Sequence, residues 1–498
     1  MRRSVLSGFV LLVWLLAGTT PTAHAFQWVD GFEPGMEVAR ERGVPAFVYF
    51  DAYWCSWCHQ YERETLSRPE VQRFLDREFV PVKVDYDSRP DLVQRFGGRG
   101  LPFTVVLSPQ GELLTRFVGV LQPEDLVEVL QRLPRPGEAQ PPLARVERVD
   151  AEGLEAVREA WLDHLESLYD PFLQTLAGRF ETGVTLKRPS PRAWIWLRDV
   201  EGWDEREREA AHTEAERLLD PVDGGFFNYF DPHRAEGAYR ETSKLLEANA
   251  WISLWLTLHA RESEAVADAA RAGYLFLRAR LWDEDAGGFW QAQTADHEYY
   301  ALSPAERLRA DPPPVERAKR TDANAQAAYA LACAAQVVPW QSGPAAGAQL
   351  LEMAEQTLEF LLSEMVDDEG RVYHYWRDGE RVTPELPEAK FWLLAAGAAL
   401  EAVAPNEARQ ARLAPVAERA AAWLGARAQA DEPLAPEVAA IVAWGAGLHE
   451  VYPVLDGADQ EWALRQVRIE VESEPDEVVA GIAALERAVD GAGRGLCW

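Results

Sequence analysis

Residues 53–61 read YWCSWCHQY: two cysteines, Cys55 and Cys58, stand two residues apart inside a cluster of aromatic side chains. A pair at this spacing is a redox dithiol, half of a metal site or an ordinary structural disulfide, and its surroundings decide which. A structural zinc ion takes four ligands. His59 adjoins the pair, but the chain has no second CxxC and no HxxxH to complete a set, so no metal site is expected. In an oxidising compartment an idle pair would simply stay oxidised.

The compartment is read from the first 25 residues. Arg2 and Arg3 precede an apolar run at 5–18, and Ala23-His24-Ala25 forms an A-x-A cleavage site. This is the pattern of a secretory signal peptide, with the mature chain starting at Phe26 and an exported, periplasmic location expected. The apolar run is short for a membrane span, which takes about 20 residues, and no later segment is long and apolar enough to span. The chain has 498 residues and a formal net charge of −31. That length calls for more than one domain, and that charge argues against nucleic acid and anionic lipid as partners. Four cysteines are too few for a disulfide scaffold of this size. Cys333, in AYALACAAQ, reads as a buried free thiol, and Cys497 adjoins the C-terminus.

Working outward from the cysteines, residues 26–134 alternate strand and helix signals. GVPAFVYFDAY (43–53) is a buried strand, followed by a helical stretch with a kink at Pro69. FVPVKVDYD (79–87) is a second strand, RPDLVQRFGG a short helix, and FTVVLS and LLTRFVGV flank the turn PQGE as a hairpin. PEDLVEVLQRL closes the unit as an amphipathic helix. Residues 135–150 are a proline-rich linker, and from 151 to 498 the pattern is of long Ala-, Leu-, Glu- and Arg-rich helices. Three segments in this second part, LLDPVDGGFFNYFD, LWDEDAGGFWQAQTAD and MVDDEGRVYHYWRDG, repeat one plan: helix end, acid, glycine, aromatics. Repeated helical hairpins of this kind predict a ring of hairpins, an all-α (α/α)6 toroid.

The first unit resembles the thioredoxin fold. A CxxC opens its first central helix, Trp54 precedes Cys55, and Gly100-Leu101-Pro102 before a strand matches the cis-proline loop of thioredoxins. One position departs: thioredoxins carry a buried aspartate six residues before the first cysteine, where this chain has Tyr49, with Asp51 and Glu62 as nearby acids. Together the two units resemble the spermatogenesis-associated thioredoxin-like proteins and their bacterial relatives, which fuse such a domain to a six-hairpin glycosidase-like toroid. Cys55-Ser56-Trp57-Cys58-His59, Val84-Asp85, Arg89-Pro90-Asp91-Leu92 and the GGF turns at Phe226 and Phe289 carry the likeness. Ser56 replaces the histidine often found between the cysteines in that family. Glu241-Thr242-Ser243-Lys244 stands where its toroid has His-x-Glu-Lys.

The chemistry expected from this pattern is thiol–disulfide exchange. Unpaired N–H groups and the dipole at a helix start favour a thiolate. Cys55 would attack a partner's disulfide and Cys58, one turn on, would resolve the mixed disulfide. Pro102 would shape the groove against the sulfurs. Trp54, Trp57 and Leu101 would form its apolar rim, and a protonated His59 would add positive charge. The cysteines carry the electrons themselves, so no cofactor is expected; the partners are protein thiols or disulfides and a redox partner protein. A carbohydrate ligand at the toroid is the rival reading, and a non-catalytic envelope binding protein the third. Glycoside chemistry needs two carboxylates flanking a sugar bond. The cleft candidates are Glu241, Lys244, Asn249, Asp322 and Glu388. Asp223 and Asp285 stand beside glycine turns, and Trp255, Trp290 and Trp376 are possible stacking platforms.

Overall fold

The computed structural model describes residues 26–98, 100–133, 154–176, 188–231, 238–382, 385–430 and scattered positions from 434 to 463. The expected signal peptide (1–25), the proline-rich linker (135–150) and Cys497 lie outside the described residues. The first unit is a five-stranded sheet of order β1-β3-β2-β4-β5, with β1 (Val29–Asp30), β2 (Ala46–Asp51), β3 (Val80–Asp85), β4 (Phe103–Leu107) and β5 (Leu113–Val118). The strands β1, β3 and β2 run parallel; β4 and β5 run antiparallel to their neighbours. The five helices are α1 (Phe32–Arg42), α2 (Ser56–Tyr61), α3 (Pro69–Glu78), α4 (Pro90–Phe96) and α5 (Pro123–Gln131).

Central strand β2 is apolar at nearly every position because both its faces are covered. Val48 and Phe50 face α1 and α4. Phe47 and Tyr49 face α2, α3 and α5, in one core with both cysteines. Proline begins α3, α4 and α5, where its missing N–H costs no helical hydrogen bond. Helix α2 widens into a π-helical turn at Glu62–Leu66 before Pro69 restarts the chain as α3, so the expected kink is real. Sequence reading missed β1 and α1. Pro34 and Gly35 blur the helical signal in the first turn, and Gly35 is there for packing: a Cβ would lie 2.3 Å from a Val82 methyl on β3.

The second unit is an all-α toroid. Its helices are α6 (Leu154–Leu168), α7 (Pro191–Leu197), α8 (Asp204–Leu218), α9 (Leu246–His259), α10 (Glu264–Phe276), α11 (His297–Ala301), α12 (Pro304–Arg307), α13 (Thr321–Val337), α14 (Gly347–Phe360), α15 (Pro387–Val403) and α16 (Glu407–Ala430). Inner helices α7, α9, α13 and α15 pack on one another in succession, backed by α8, α10, α14 and α16. Strands of two or three residues join the hairpins at one end of this ring. No helix among the described residues is long and apolar enough to cross a membrane.

The three repeated segments fold as one turn. Asp220, Asp283 and Asp367 each accept backbone N–H groups of the loop that follows, and Gly224, Gly225, Gly287, Gly288 and Gly370 take positive φ. In the first two copies a lysine and an asparagine lock the turn. Lys244 reaches Asp220 at 2.8 Å and the Gly224 carbonyl at 2.6 Å; Lys319 reaches Asp283 at 2.7 Å and the Gly287 carbonyl at 2.6 Å. The side chains of Asn249 and Asn324 each accept from the N–H and donate to the carbonyl of a turn phenylalanine, Phe226 and Phe289.

Several expectations change here. Lys244 and Asn249 are not cleft groups but wholly buried struts of the turn, where burial brings the Lys244 ammonium down to a pKa of about 8. The acids that shape the turns are Asp220 and Asp283 rather than Asp223 and Asp285. Trp255 stacks on Trp194 at 6.1 Å in the core, and Trp290 and Trp376 pack on each other around the Lys319 ammonium. None of the three is an open sugar platform. Cys333 is not a free thiol; it belongs to a second disulfide.

Candidate active site at the domain interface

Cys55 is the cap of α2. It lies in extended conformation, and its Sγ accepts the backbone N–H of Cys58 at 3.1 Å. The two cysteines are joined in a disulfide. Cys58 is fully buried and Cys55 is 3 % exposed, the order expected of a resolving and an attacking sulfur. The Leu101–Pro102 bond is cis; Pro102 is buried, and Leu101 packs against the core that holds the cysteines. His59 meets the Tyr53 ring edge-on at 6.4 Å.

Beneath the pair, Tyr49 occupies the place expected for an acid. Its hydroxyl donates to the Cys58 carbonyl at 3.3 Å. Lys83, its register partner on β3, extends to Asp51 at 3.0 Å and Glu62 at 2.5 Å. Burial raises the Asp51 carboxyl to a pKa of about 6 despite the Lys83 charge. Asp51, His59, Glu62, Lys83, Glu316 and Arg377 line a charged groove of about 1280 Å³ that runs beside the cysteine helix between the two units.

The expected open rim is instead covered by the toroid. The Trp57 indole donates to the Tyr229 hydroxyl at 2.8 Å and packs on Tyr239 at 5.5 Å between ring centres. Ser56, between the cysteines, donates to the Glu241 carboxylate and lies 3.2 Å from the Tyr239 hydroxyl. Thr294 donates to the Tyr53 carbonyl at 3.0 Å, and the Ala295 N–H to that of Trp54 at 3.4 Å. Trp54 donates to Asp87 at 2.8 Å, and Arg320 of the toroid grips the other oxygen of Asp87 at 3.0 Å. His374 lies 2.9 Å from the Asp87 carbonyl oxygen. Tyr375 and Arg377 bind Asp85 at 2.9 and 3.2 Å.

The toroid acids converge on this same face. Glu247, Asp322 and Glu388 are each the second residue of an inner helix, α9, α13 and α15. Burial alone would lift the Asp322 carboxyl, but Arg320 and His374 outweigh it and bring its pKa to about 2. Glu388 accepts from Gln94 of α4 at 2.9 Å. Glu241, Asp322 and Glu388 are therefore brought to one end of the toroid, where the first unit covers them. Sequence reading missed Tyr229, Tyr239, Glu247, Arg320 and His374 on the toroid side and Asp85 and Asp87 on the other. The acid at the second position of α9, α13 and α15 was the one signal available.

A five-stranded sheet with a CxxC at a helix start and a cis-proline facing it defines a thioredoxin-like protein, and the chain belongs to that family: residues 27–109 match the family described as thioredoxin-like. Over 85 residues it is 32% identical to thioredoxin of Rickettsia bellii, which it covers to 77%; the match spans 17% of this chain. The longer likeness is to human spermatogenesis-associated protein 20, 26% identical over 327 residues, 57% of this chain. The chain spans 40% of the length of that human protein. For the toroid, a sugar epimerase from a ruminal bacterium superposes with a TM-score of 0.51 at 12% identity, covering 68% of this chain and 99% of that one. A D-mannose isomerase gives 0.50 at 12% identity, covering 68% and 97%. These two show the toroid fold.

Proposed function

We propose that the protein is an exported thiol–disulfide oxidoreductase in which the toroid serves as a scaffold that recruits or positions the partner. The observation that carries the reading is the Cys55–Cys58 disulfide capping α2 of a thioredoxin-like domain. In the reducing direction the Cys55 thiolate attacks one sulfur of a partner disulfide. The partner's S–S bond breaks, and the departing thiolate takes a proton from water. Cys58 then gives up its proton and attacks Cys55 Sγ, releasing the second partner thiol. Two electrons pass from the dithiol to the partner, and the reverse sequence oxidises a partner dithiol. Export rests on the composition of residues 1–25.

The engagement of the toroid acids supports a scaffold over a sugar-cleaving or sugar-isomerising centre. Glu241 is held by Ser56, Asp322 by Arg320 and Glu388 by Gln94, whereas glycosidase chemistry needs two carboxylates facing a sugar. The test is reduction of insulin disulfides by dithiothreitol with the full chain as catalyst. Cys55→Ala is expected to fall to the uncatalysed rate, and Cys58→Ala to accumulate a mixed disulfide through Cys55. Wild-type turnover by Cys55→Ala would overturn the reading and leave the toroid as the working part.

A further inference from the structure

Glu241 plays no part in the exchange steps above, yet it is the toroid's acid at the cysteines. It is 2 % exposed. Its carboxylate accepts from Ser56 across the interface, from the Tyr239 hydroxyl at 2.8 Å and from the Ser243 N–H at 3.4 Å. Ser56 is the first residue of α2 and the immediate neighbour of Cys55. A buried carboxylate thus sits at the same helix start where the attacking sulfur must become negative, and like charges at short range in a dry environment disfavour each other. Tyr239 already registers this field: burial first, then the Glu241 charge, hold its phenol well above the ordinary range.

We infer that Glu241 is a positioning residue supplied by the toroid: through Ser56 it holds the turn between the cysteines, and its charge opposes the Cys55 thiolate while the two units are docked. The inference rests on the redox reading above. Among the described residues, the other titratable groups around the helix start include His59 on α2 with Tyr53 beside it, Tyr229 and Tyr239 on the toroid hairpin with Arg188 and Asp231 acting on Tyr229, His297 on α11 at 3.1 Å from the Tyr239 hydroxyl, and the Asp87–Arg320 pair behind Trp54. Several titratable groups share this helix start, so the informative quantity is the difference between variant and wild type.

The experiment is the pH profile of iodoacetamide alkylation of Cys55 in the reduced full chain. For Glu241→Gln the midpoint is expected to fall by about one pH unit. The rate below the midpoint should then rise about tenfold, and the glutathione equilibrium should move about tenfold toward dithiol, about 30 mV. Tyr239→Phe, which leaves the carboxylate with one donor fewer, is expected to move the midpoint the opposite way. Should Glu241→Gln fail to fold, the sign of the Tyr239→Phe shift decides. Loosened docking alone would raise the plateau rate without moving the midpoint, and that result overturns the inference. So does an unchanged profile over a wild-type pair that titrates normally. A wild-type pair that no dithiol reduces in the folded protein overturns the redox reading itself, and the inference with it.

Discussion

Tyr49 fills the position where thioredoxins bury an acid, and the acid has moved two residues along the same strand face, to Asp51. Lys83 binds it together with Glu62, yet burial prevails and leaves the Asp51 carboxyl with a pKa of about 6, above the ordinary value of about 3.9. The fold therefore favours the neutral form. The stability Asp51 contributes is fully present below about pH 4 and is lost as pH rises through about 6. Asp51→Asn mimics the neutral acid, so wild type minus variant stability should fall by on the order of 2 kcal/mol between pH 4 and pH 7. Urea midpoints at several pH values measure it, and a flat difference across that window would refute it. The cysteines, Pro102 and the absence of an acid at position 49 were readable from sequence spacing. The role of Lys83 was not, because strand register, not sequence distance, brings it beside Tyr49.

At the level of elements, the sheet was legible where burial covers both faces of a strand and proline marks a helix start. It was illegible where Pro34 and Gly35 interrupt the first turn of α1, and where strands of two residues are too short to show alternation. The glycine turns of the toroid were visible as a repeat. Their locks could be read as cleft groups or as partners of buried polar groups, because Lys244 and Asn249 stand more than twenty residues beyond the Asp220 and Phe226 they hold. Asn249 holds both backbone groups of Phe226 from a fully buried position. Asn249→Ala leaves those groups without partners in a dry core, at a cost of about 3 kcal/mol. The expected result is a clear drop in the denaturant midpoint with the cysteine pair chemically unchanged. A variant as stable as wild type would show that the turn holds without its lock.

Across the whole molecule, the interface was beyond sequence reading, since Ser56 and Glu241, or Asp87 and Arg320, approach only after both units have folded. The Arg320–Asp87 pair is the most buried ion pair across it among the described residues: Arg320 is 18 % and Asp87 5 % exposed as side chains. Arg320→Ala leaves Asp87 buried beside Trp54 without its cation, a loss of about 3–5 kcal/mol for a buried pair, felt by the docked arrangement. The disulfide should then be reduced by a phosphine at least tenfold faster, with the helical circular dichroism signal retained; an unchanged rate would mean that docking does not limit access. The covered cysteine helix has a further kinetic meaning. The toroid is carried on the same chain as the sulfurs it covers, so it competes for them as a tethered ligand, at an effective concentration in the millimolar range for a short connection. A partner of the proposed kind would have to displace that neighbour before any sulfur is attacked. On the proposed redox function, turnover would then be gated by the frequency of undocking, and selectivity would fall to partners that engage both units at once.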